Sequence, residues 1–298
     1  MRPIAELSMN DRPIKAPSAG LVAIIDKRRV QRQFRAAVRT YDDAAVLQRT
    51  VADRLIDRLD VVRTRPVSIL DAGCGTGYCT RALTRRYRRA RVVGLDLVWD
   101  MAAAARRKAG WFARSRFVAG DVARMPFAAG TFDMVLSNFM LPWCDPARAF
   151  AECVRVLRSD GLLVFTTLGP DTLIELRAAW READPDATPH LYLDMHDVGD
   201  ALVRAGFVEP VMDVERYTLT YPHLDALLLD RKALGAGNAM HPQRRGLVGR
   251  SRFERFRAAY AASPADGKLP VTCEVVYGHA WAPRILAGDR RVIKIGSV

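Results

Sequence analysis

The segment "SILDAGCGTGYCTRAL", residues 68–83, decides the fold of this chain. An apolar run ends at Asp71, the chain then passes Gly73, Gly75 and Gly77, and helical spacing resumes after the last glycine. Glycine reaches backbone angles that other residues avoid, and it lets a backbone approach a ligand closely. The pattern therefore predicts a strand, a tight turn that can hold a ligand, and a helix.

Six further strand-like segments follow this first one. The seven predicted strands span residues 67–72, 91–96, 115–120, 132–138, 161–168, 211–221 and 271–281. The first five alternate with helix-length segments, which indicates parallel βαβ units and a sheet with helices on both faces. We therefore predict an α/β fold with a seven-stranded, mostly parallel sheet.

Composition shifts divide the chain into segments. Prolines and a lack of periodicity predict a flexible leader, and apolar residues at helical spacing follow it, with a possible break near Tyr41 and Asp42. We predict a leader at 1–26, a single domain at 27–283 and a basic tail at 284–298. The domain is made of N-terminal helices (27–60), a cofactor-binding core (65–170) and a substrate-side half (171–283), which contains an insertion at 222–268.

Composition bounds the classes of function. The 298 residues are 50% hydrophobic, yet the apolar runs are too short to span a bilayer, so we expect no membrane partner. Five scattered cysteines without a C-x-x-C pair favour a reducing cytoplasm over a disulfide framework, and no metal-ligand spacing is present, so we expect no metal. The net charge of +13 would attract nucleic acid or an acidic protein.

Three aspartates follow the ends of consecutive predicted strands: Asp71, Asp96 and Asp121. The carboxylate of Asp96 can accept hydrogen bonds from both hydroxyls of a ribose. Asp121 can accept from an adenine amine while the amide of Val122 bonds a ring nitrogen. The spacing is neither the dinucleotide fingerprint nor a phosphate loop, so a ligand with a ribose, an adenine and a cationic amino-acid end fits better than a pyrophosphate.

The motifs "DAGCGTG", "GLDL", "GDVARMPF" and "FDMVLSN" resemble those of class I S-adenosylmethionine-dependent methyltransferases, over about residues 65–170. Taken singly, the glycines fit a plain turn and each aspartate fits a helix cap, but all four motifs occur in order. The resemblance implies a Rossmann-like fold with an N-terminal helical lid, and S-adenosyl-L-methionine as methyl donor. The cofactor-binding residues it implies are Asp71, Gly73, Gly75, Gly77, Asp96, Leu97, Asp121, Val122 and Asn138.

The C-terminal half carries a second, narrower resemblance. The segments "TLGPDTLIELRAAW", "DMHDVGDALVRAGF", "PVMDVERYTLTY", "DRKALGAGNA" and "LPVTCEVVYGHAW" resemble the malonyl-acyl-carrier-protein O-methyltransferases of biotin synthesis, and "RRVQRQFRAAVRTYDDAAVLQ" resembles their N-terminal helices. The match covers about residues 24–283, with departures at "RSDG" (158–161) and at Cys273. It implies methylation of the free carboxylate of a malonyl thioester on an acidic acyl carrier protein.

Methylation of a carboxylate does not require a general base to remove a proton. A carboxylate with a reference pKa of about 4 is already ionised at neutral pH, so the enzyme must align and partly desolvate it, and we expect an arginine to hold it. Tyr41 in the lid and His196 in "DMHD" are the catalytic candidates. Alternatively, Tyr41 packs between helices, and His196 caps a helix or packs in the core.

Other functions remain open at the level of sequence. The segment "DTLIELR" also resembles mitochondrial assembly factors whose methyltransferase fold supports arginine hydroxylation. An RNA methyltransferase is favoured only by the positive charge, and the absence of a Pro-Pro-aromatic motif after the fourth strand disfavours a base amine as acceptor. A binding module without catalysis is a third class. The arginines of residues 244–257 form either a solvated helix face or a docking site for an acidic carrier protein.

Overall fold

The computed structural model describes residues 24–62, 64–110, 113–185, 190–241, 249–261 and 267–284. The predicted leader and basic tail lie almost wholly outside these residues and stay predictions. Two short segments, Ile24–Ile25 and Met240–His241, pair as antiparallel strands and join the start of the described chain to the insertion.

A seven-stranded sheet forms the centre of the fold. Its strands are β1 (Ser68–Ala72), β2 (Arg91–Asp96), β3 (Arg116–Ala119), β4 (Phe132–Asn138), β5 (Leu157–Leu168), β6 (Val208–Tyr221) and β7 (Leu269–Trp281). They lie in the order β3-β2-β1-β4-β5-β7-β6, with β1 to β5 parallel and β7 antiparallel to both of its neighbours. The predicted mostly parallel sheet is confirmed, and its strand order reverses between β1 and β4, where such sheets bind ligands.

Three strands begin earlier than the sequence predicts: β7 by two residues, at Leu269, and β5 and β6 by more. β5 starts at Leu157, and its pairing with β4 shifts beyond that residue around Asp160, which has a φ of +58°. β6 starts at Val208, although Glu209 has a φ of +51° and Pro210 follows it. Charged residues and a proline interrupt the alternation of apolar and polar residues by which a strand is recognised in a sequence. A bulge lets these residues continue the strand although they do not follow its two-residue period.

The described residues contain ten α-helices. They are α1 (Lys27–Ala37), α2 (Tyr41–Ala44), α3 (Val46–Asp57), α4 (Tyr78–Arg86), α5 (Trp99–Ala109), α6 (Pro146–Val156), α7 (Ile174–Ala183), α8 (Met195–Arg204), α9 (Leu224–Ala233) and α10 (Arg250–Ala261). Successive residues of a strand point to opposite faces of the sheet, so Ile69 joins the core under α3, α7 and α10, whereas Leu70 joins the core under α6 and α8. No helix of the described residues has the length and apolar character needed to cross a membrane.

The lid helices α1 to α3 contact the insertion that carries α9 and α10. The predicted break is present, since α1 ends at Ala37 and α2 begins at Tyr41. At this break the hydroxyl of Thr40 donates to the carbonyl of Ala233 at 2.9 Å. A Cβ on Gly235 would lie 3.0 Å from the carbonyl of Gln33, which shows how closely α1 approaches the end of α9. The lid and the insertion therefore enclose the same edge of the sheet.

Candidate active site

A cavity of about 420 Å³ lies at the carboxyl edge of the parallel strands. On the side of β1 to β4 its lining includes the glycine turn and the residues that follow each strand. We call this side the glycine end; it comprises Gly73, Gly75, Asp96, Leu97, Asp121 and Val122. The other side lies near β6, β7 and α9, and we call it the arginine end; its polar lining residues are Thr172, Tyr192, Thr220, Tyr221, Asp230 and Arg231.

All three glycines of the turn have positive φ angles, and Gly75 and Gly77 differ in what surrounds them. Gly75, with a φ of +52°, borders the cavity, and a Cβ there would lie in van der Waals contact with the ring of Tyr41, at 3.9 Å. Gly77, with a φ of +82°, begins α4, where a Cβ would lie 2.9 Å from that of Ala105. Gly77 is outside the cavity lining and serves helix packing. Gly75 is the position where a side chain would fill ligand space.

Asp96 stands at the end of β2 and lines the cavity. Its Oδ2 accepts from the amide of Gly75 at 2.8 Å, and its Oδ1 accepts from the amide of Val98 at 2.8 Å. Burial raises the pKa of this carboxyl to about 6. An ionised carboxylate offers about four acceptor sites, so the two amides leave room for two hydroxyl donors. The geometry fits a ribose at this position.

Asp71 lies deeper than Asp96. A second cavity of about 40 Å³ touches it together with Tyr41, Gly73 and Asn138. Its carboxylate accepts from the hydroxyl of Thr80 at 2.5 Å, and burial raises its pKa to about 7. A cationic group bound nearby would favour its ionised form, which is what the amino-acid end of the expected ligand supplies.

Asp121 follows β3 and contacts the lid. Its Oδ1 accepts from the amide of Ala123 at 2.9 Å, and its Oδ2 pairs with the ammonium of Lys27 on α1. The carbonyl of Leu97 accepts from the side chain of Gln31, also on α1, at 3.4 Å. The sequence does not indicate the Lys27 contact, because the two charges are brought together only by the docking of α1 over the sheet edge.

Asn138 lines both cavities, but protein groups occupy its amide. Its Nδ2 donates to the carbonyl of Gln48 on α3 at 3.0 Å, and its Oδ1 accepts from the hydroxyl of Thr166 at 2.7 Å. Asn138 therefore fixes the lid to the ends of β4 and β5. This contact supports a role in shaping the site.

Tyr41 lines both cavities and lies beside Gly75. Its ring centroid is 6.4 Å from that of Phe34, whose ring in turn meets Trp143 edge to face at 5.2 Å. Burial is the main cause that raises the pKa of the Tyr41 phenol well above its usual value. The phenol therefore stays protonated near neutral pH and can donate a hydrogen bond.

His196 lies outside the cavity. Its side chain is 87% exposed in the first turn of α8, and its Nδ1 is 2.7 Å from Oδ1 of Asp194, the residue that caps the helix. The buried face of α8 carries Val198 and Leu202 instead. The structure gives no geometric support to the catalytic role predicted for His196, because the period of the helix turns it toward solvent.

The described arginines of the 244–257 segment are largely engaged within the protein. The pairs are Arg250 with Glu254, Arg252 with Asp184 and Arg257 with Asp225, and Arg255 donates to the carbonyl of Ala183. Residues 244–248 lie outside the described chain. These contacts favour a structural role for this face of α10 over a role in docking a carrier protein.

The arginine end was not predicted residue by residue. The hydroxyl of Tyr221 donates to Oδ2 of Asp230 at 2.7 Å, and Nη2 of Arg231 donates to the carbonyl of Ala236 at 2.9 Å. Behind the lining residues Trp143 and Tyr192, Nε2 of the buried His190 lies 3.1 Å from the carbonyl of Pro142. Burial lowers the pKa of His190 to about 4, so it is neutral at physiological pH. No short motif marks these positions, since they come from separate loops and α9.

The expectation that the protein binds no metal stays a prediction. Among the residues that the structure describes, no three His, Cys, Asp or Glu side chains group together as a metal site would require. The polar groups of the glycine end are instead backbone amides and single carboxylates at successive strand ends, a set that suits an adenosine-like organic ligand.

Comparisons of sequence point to one family. A family profile described as "Methyltransferase domain" matches residues 70–165. The chain is 49% identical to a malonyl-[acyl-carrier protein] O-methyltransferase of Methylovorus sp. (strain MP688), covering 88% of this chain and 90% of that one. It is 51% identical to the protein of the same name from Laribacter hongkongensis (strain HLHK9), covering 87% and 90%.

Solved structures with this fold include methyltransferases. Phosphoethanolamine N-methyltransferase 2 of Haemonchus contortus, in complex with phosphomonomethylethanolamine and S-adenosylhomocysteine, superposes with a TM-score of 0.54 at 18% identity, covering 88% of this chain and 61% of that one. The YcgJ protein of Bacillus subtilis superposes with a TM-score of 0.56 at 15% identity, covering 78% and 98%. At such identities the likeness concerns the fold, and it confirms the predicted Rossmann-like architecture.

Proposed function

The chain belongs to the malonyl-[acyl-carrier protein] O-methyltransferase family, and on that premise we propose that it methylates the free carboxylate of a malonyl group carried by an acyl carrier protein. S-adenosyl-L-methionine is the methyl donor, and the malonyl methyl ester is the product that enters biotin synthesis. The observation that carries the proposal is one cavity with carboxylates at the glycine end and an arginine at the other.

The reaction balances without a proton transfer. The donor supplies a methyl group on a sulfonium; a carboxylate oxygen bonds to that carbon as the carbon–sulfur bond breaks, and its electron pair returns to sulfur. The negative charge of the carboxylate and the positive charge of the sulfonium disappear together. The protein therefore has to align the two groups and exclude water, which is consistent with a cavity that offers no obvious general base.

The residues of the glycine end suit the donor. In our proposal the two oxygens of Asp96 accept from the ribose hydroxyls, and Asp121 accepts from the adenine amine beside Val122. Asp71 stabilises the cationic amino-acid end from the smaller cavity. Their support is positional, since each carboxylate lies at or near the carboxyl end of a strand and two of them border the main cavity.

Tyr41 is the candidate for a group near the transferred methyl. It borders both cavities, and the ring contacts of Phe34 and Trp143 hold this part of the lid together. We assign the protonated phenol to orienting the reactants and its ring to excluding water. The lid, the core and the insertion all line one cavity, so we also propose that residues 27–283 act as one domain.

The partner is proposed to be an acidic carrier protein, attracted by the net charge of +13. The exposed Arg28 and Arg32 have no ion pair among the described residues and lie on α1, whose opposite face carries the cavity residues Val30 and Phe34. They are better available for docking than the paired arginines of α10. All five cysteines are free and buried, which supports the proposal of a reducing cytoplasm.

A parallel assay separates this function from its rivals. Labelled S-adenosylmethionine is offered with malonyl carrier protein, malonyl-coenzyme A and bulk RNA, and arginine-rich peptides are checked separately by mass spectrometry for added oxygen. We expect label on the malonyl thioesters, none on RNA, and no hydroxylated peptide. The apparent KM for the carrier protein should rise with salt, while the KM for the donor changes little, because screening weakens exposed charge pairs most. Labelled RNA without a labelled acyl group would contradict the proposal.

A further inference from the structure

The cavity lining contains a single basic side chain among the described residues, that of Arg231 on the last turn of α9. The three acidic residues of the lining already have partners. Asp96 accepts two backbone amides, Asp121 pairs with Lys27, and Asp230 accepts from the hydroxyl of Tyr221. An anionic ligand that enters this cavity can thus pair with one basic side chain of the described lining, that of Arg231.

The guanidinium of Arg231 is anchored but not neutralised. Its Nη2 donates to the carbonyl of Ala236 at 2.9 Å, and within the described chain it has no carboxylate partner. A guanidinium carries five N–H donors, so this bond leaves donors for a planar, two-oxygen acceptor. The hydroxyl of Tyr221 donates to Asp230, the residue next to Arg231, so this carboxylate has a partner of its own and Arg231 can donate to a carboxylate of a ligand.

The surroundings of Arg231 suit a small acyl group. The apolar lining near it comes from α9 and β7, with Leu227, Leu234 and Val271. A charge-assisted hydrogen bond is stronger where apolar groups displace water. Such a site can hold a carboxylate on a short chain and leave the thioester directed elsewhere.

We propose that Arg231 binds the free carboxylate of the malonyl group and thereby makes the enzyme select malonyl over uncharged acyl groups. This inference rests on the proposed function and names the residue that recognises its acceptor. Methylation removes the charge that Arg231 binds, so the ester is held more weakly than the acid and leaves. Arg231 is thus a specificity-determining residue for the acceptor.

The test is equilibrium binding with S-adenosylhomocysteine bound, so that no methyl group can be transferred. Malonyl and acetyl carrier protein are each titrated into the wild-type enzyme and into Arg231→Gln. The wild type should bind the malonyl form on the order of tenfold tighter or more, as expected for a hydrogen-bonded ion pair. Arg231→Gln should bind the two forms within about twofold of each other, through loss of affinity for the malonyl form alone.

Two further variants keep the test decisive. Lys232→Gln removes the same charge from the exposed neighbouring position of α9 and should keep the full malonyl preference. Arg231→Met keeps most of the aliphatic stem and should lose the preference even if Arg231→Gln folds poorly, with unchanged affinity for S-adenosylhomocysteine as the check on folding. A malonyl preference that survives in a folded Arg231 variant would overturn the inference. Failure of the wild type to methylate malonyl carrier protein would instead refute the proposed function.

Discussion

The glycine end of the cavity takes its polar groups from residues at or just beyond the carboxyl ends of neighbouring strands, whereas the arginine end takes them from positions spread between Thr172 and Arg231. The first arrangement is local. A strand, a turn and the residue after the strand determine where Gly75 and Asp96 lie. The second depends on how the loops, β6 and α9 pack over the sheet, so only the folded chain brings its members together.

The two ends also differ in charge. Asp71, Asp96 and Asp121 make the glycine side acidic, whereas the other side holds the basic Arg231 beside Asp230, which accepts from the hydroxyl of Tyr221. The proposed donor is cationic and the proposed acceptor is anionic. The cavity can therefore orient both reactants by charge, and variants at the two ends should affect different ligands.

The largest effect is expected at the glycine turn. Gly75→Val should abolish measurable binding of S-adenosylhomocysteine in calorimetry, because its side chain enters the cavity and β-branched residues avoid a φ of +52°. Gly130→Val is the matched control, since Gly130 has a φ of +62° with no atom within 4 Å of the added Cβ. It should carry a similar backbone strain and bind normally. Equal loss in both variants would mean that strain, not occupied space, explains the effect.

The next effect concerns the carboxylate of Asp96. Asp96→Asn should weaken S-adenosylhomocysteine binding on the order of tenfold or more, because hydrogen bonds to a charged group are lost. Asp100→Asn removes a charge on α5 that pairs with Arg35 and should leave binding unchanged. The affinity for malonyl carrier protein, measured separately, should change little in either variant. Normal cofactor affinity in Asp96→Asn would remove Asp96 from the site.

The pH dependence of binding follows from the same group. Burial raises the pKa of Asp96 to about 6 in the free protein, and hydroxyl donors of a ligand favour its ionised form. Affinity for S-adenosylhomocysteine should thus fall as the pH drops below about 6, by at most about tenfold per pH unit through Asp96, in addition to any change near pH 7 through Asp71. Asp96→Asn should lose the part of this dependence that lies near pH 6. An acid-insensitive wild type would contradict the assignment.

Protein stability should change with pH in the opposite direction. The folded-state pKa values of about 7 for Asp71 and about 6 for Asp96 exceed their unfolded value of about 4, so the folded state retains protons that the unfolded chain releases. The stabilisation of the folded state by these two carboxyl groups is fully present below about pH 4 and is lost as the pH rises toward 7. Asp71→Asn should flatten this part of the unfolding free-energy profile in urea titrations.

A smaller effect is expected where the two ends meet. Tyr41→Phe removes a hydroxyl whose pKa is raised by burial and keeps the ring that packs near Phe34. We expect kcat to fall by roughly five- to tenfold, as for one lost hydrogen bond, with little change in cofactor affinity. An unchanged kcat would assign Tyr41 to packing alone.

The smallest effect is expected outside the cavity. His196→Ala should leave kcat and both KM values within about twofold of the wild type, because the side chain is exposed and contacts Asp194. A slight loss of thermal stability is the expected outcome of the lost contact. A large fall in kcat with an unchanged fold would restore the catalytic role that its position on α8 argues against.

The sequence was sufficient where physical signals are local. All seven strands and the turn through Gly75 could be predicted, because apolar runs and glycines mark them within a few residues. The starts of β5 and β6 could not, since the bulge at Asp160 and the Pro210 region break the alternation of a strand. These errors are at boundaries and leave the site unaffected.

The sequence was insufficient where side chains meet across the fold. It predicted an arginine for the acceptor but could not choose Arg231 among many arginines, because only the packing of α9 places it in the cavity lining. It nominated His196 in "DMHD" as a catalytic candidate, but this residue lies on the exposed face of α8. Residue type and order indicate the chemistry, and tertiary packing decides which copy of the residue performs it.

A single-turnover reaction tests most directly whether one cavity brings a malonyl carboxylate to the methyl donor. It uses isotopically labelled S-adenosylmethionine with malonyl carrier protein and, separately, with acetyl carrier protein. Tandem mass spectrometry of the product locates the label. The expected result is a labelled methyl ester on the malonyl group alone, formed more slowly by Asp96→Asn at limiting donor and by Arg231→Gln at limiting carrier. Label on the acetyl form or on the carrier polypeptide would contradict carboxyl methylation at this site.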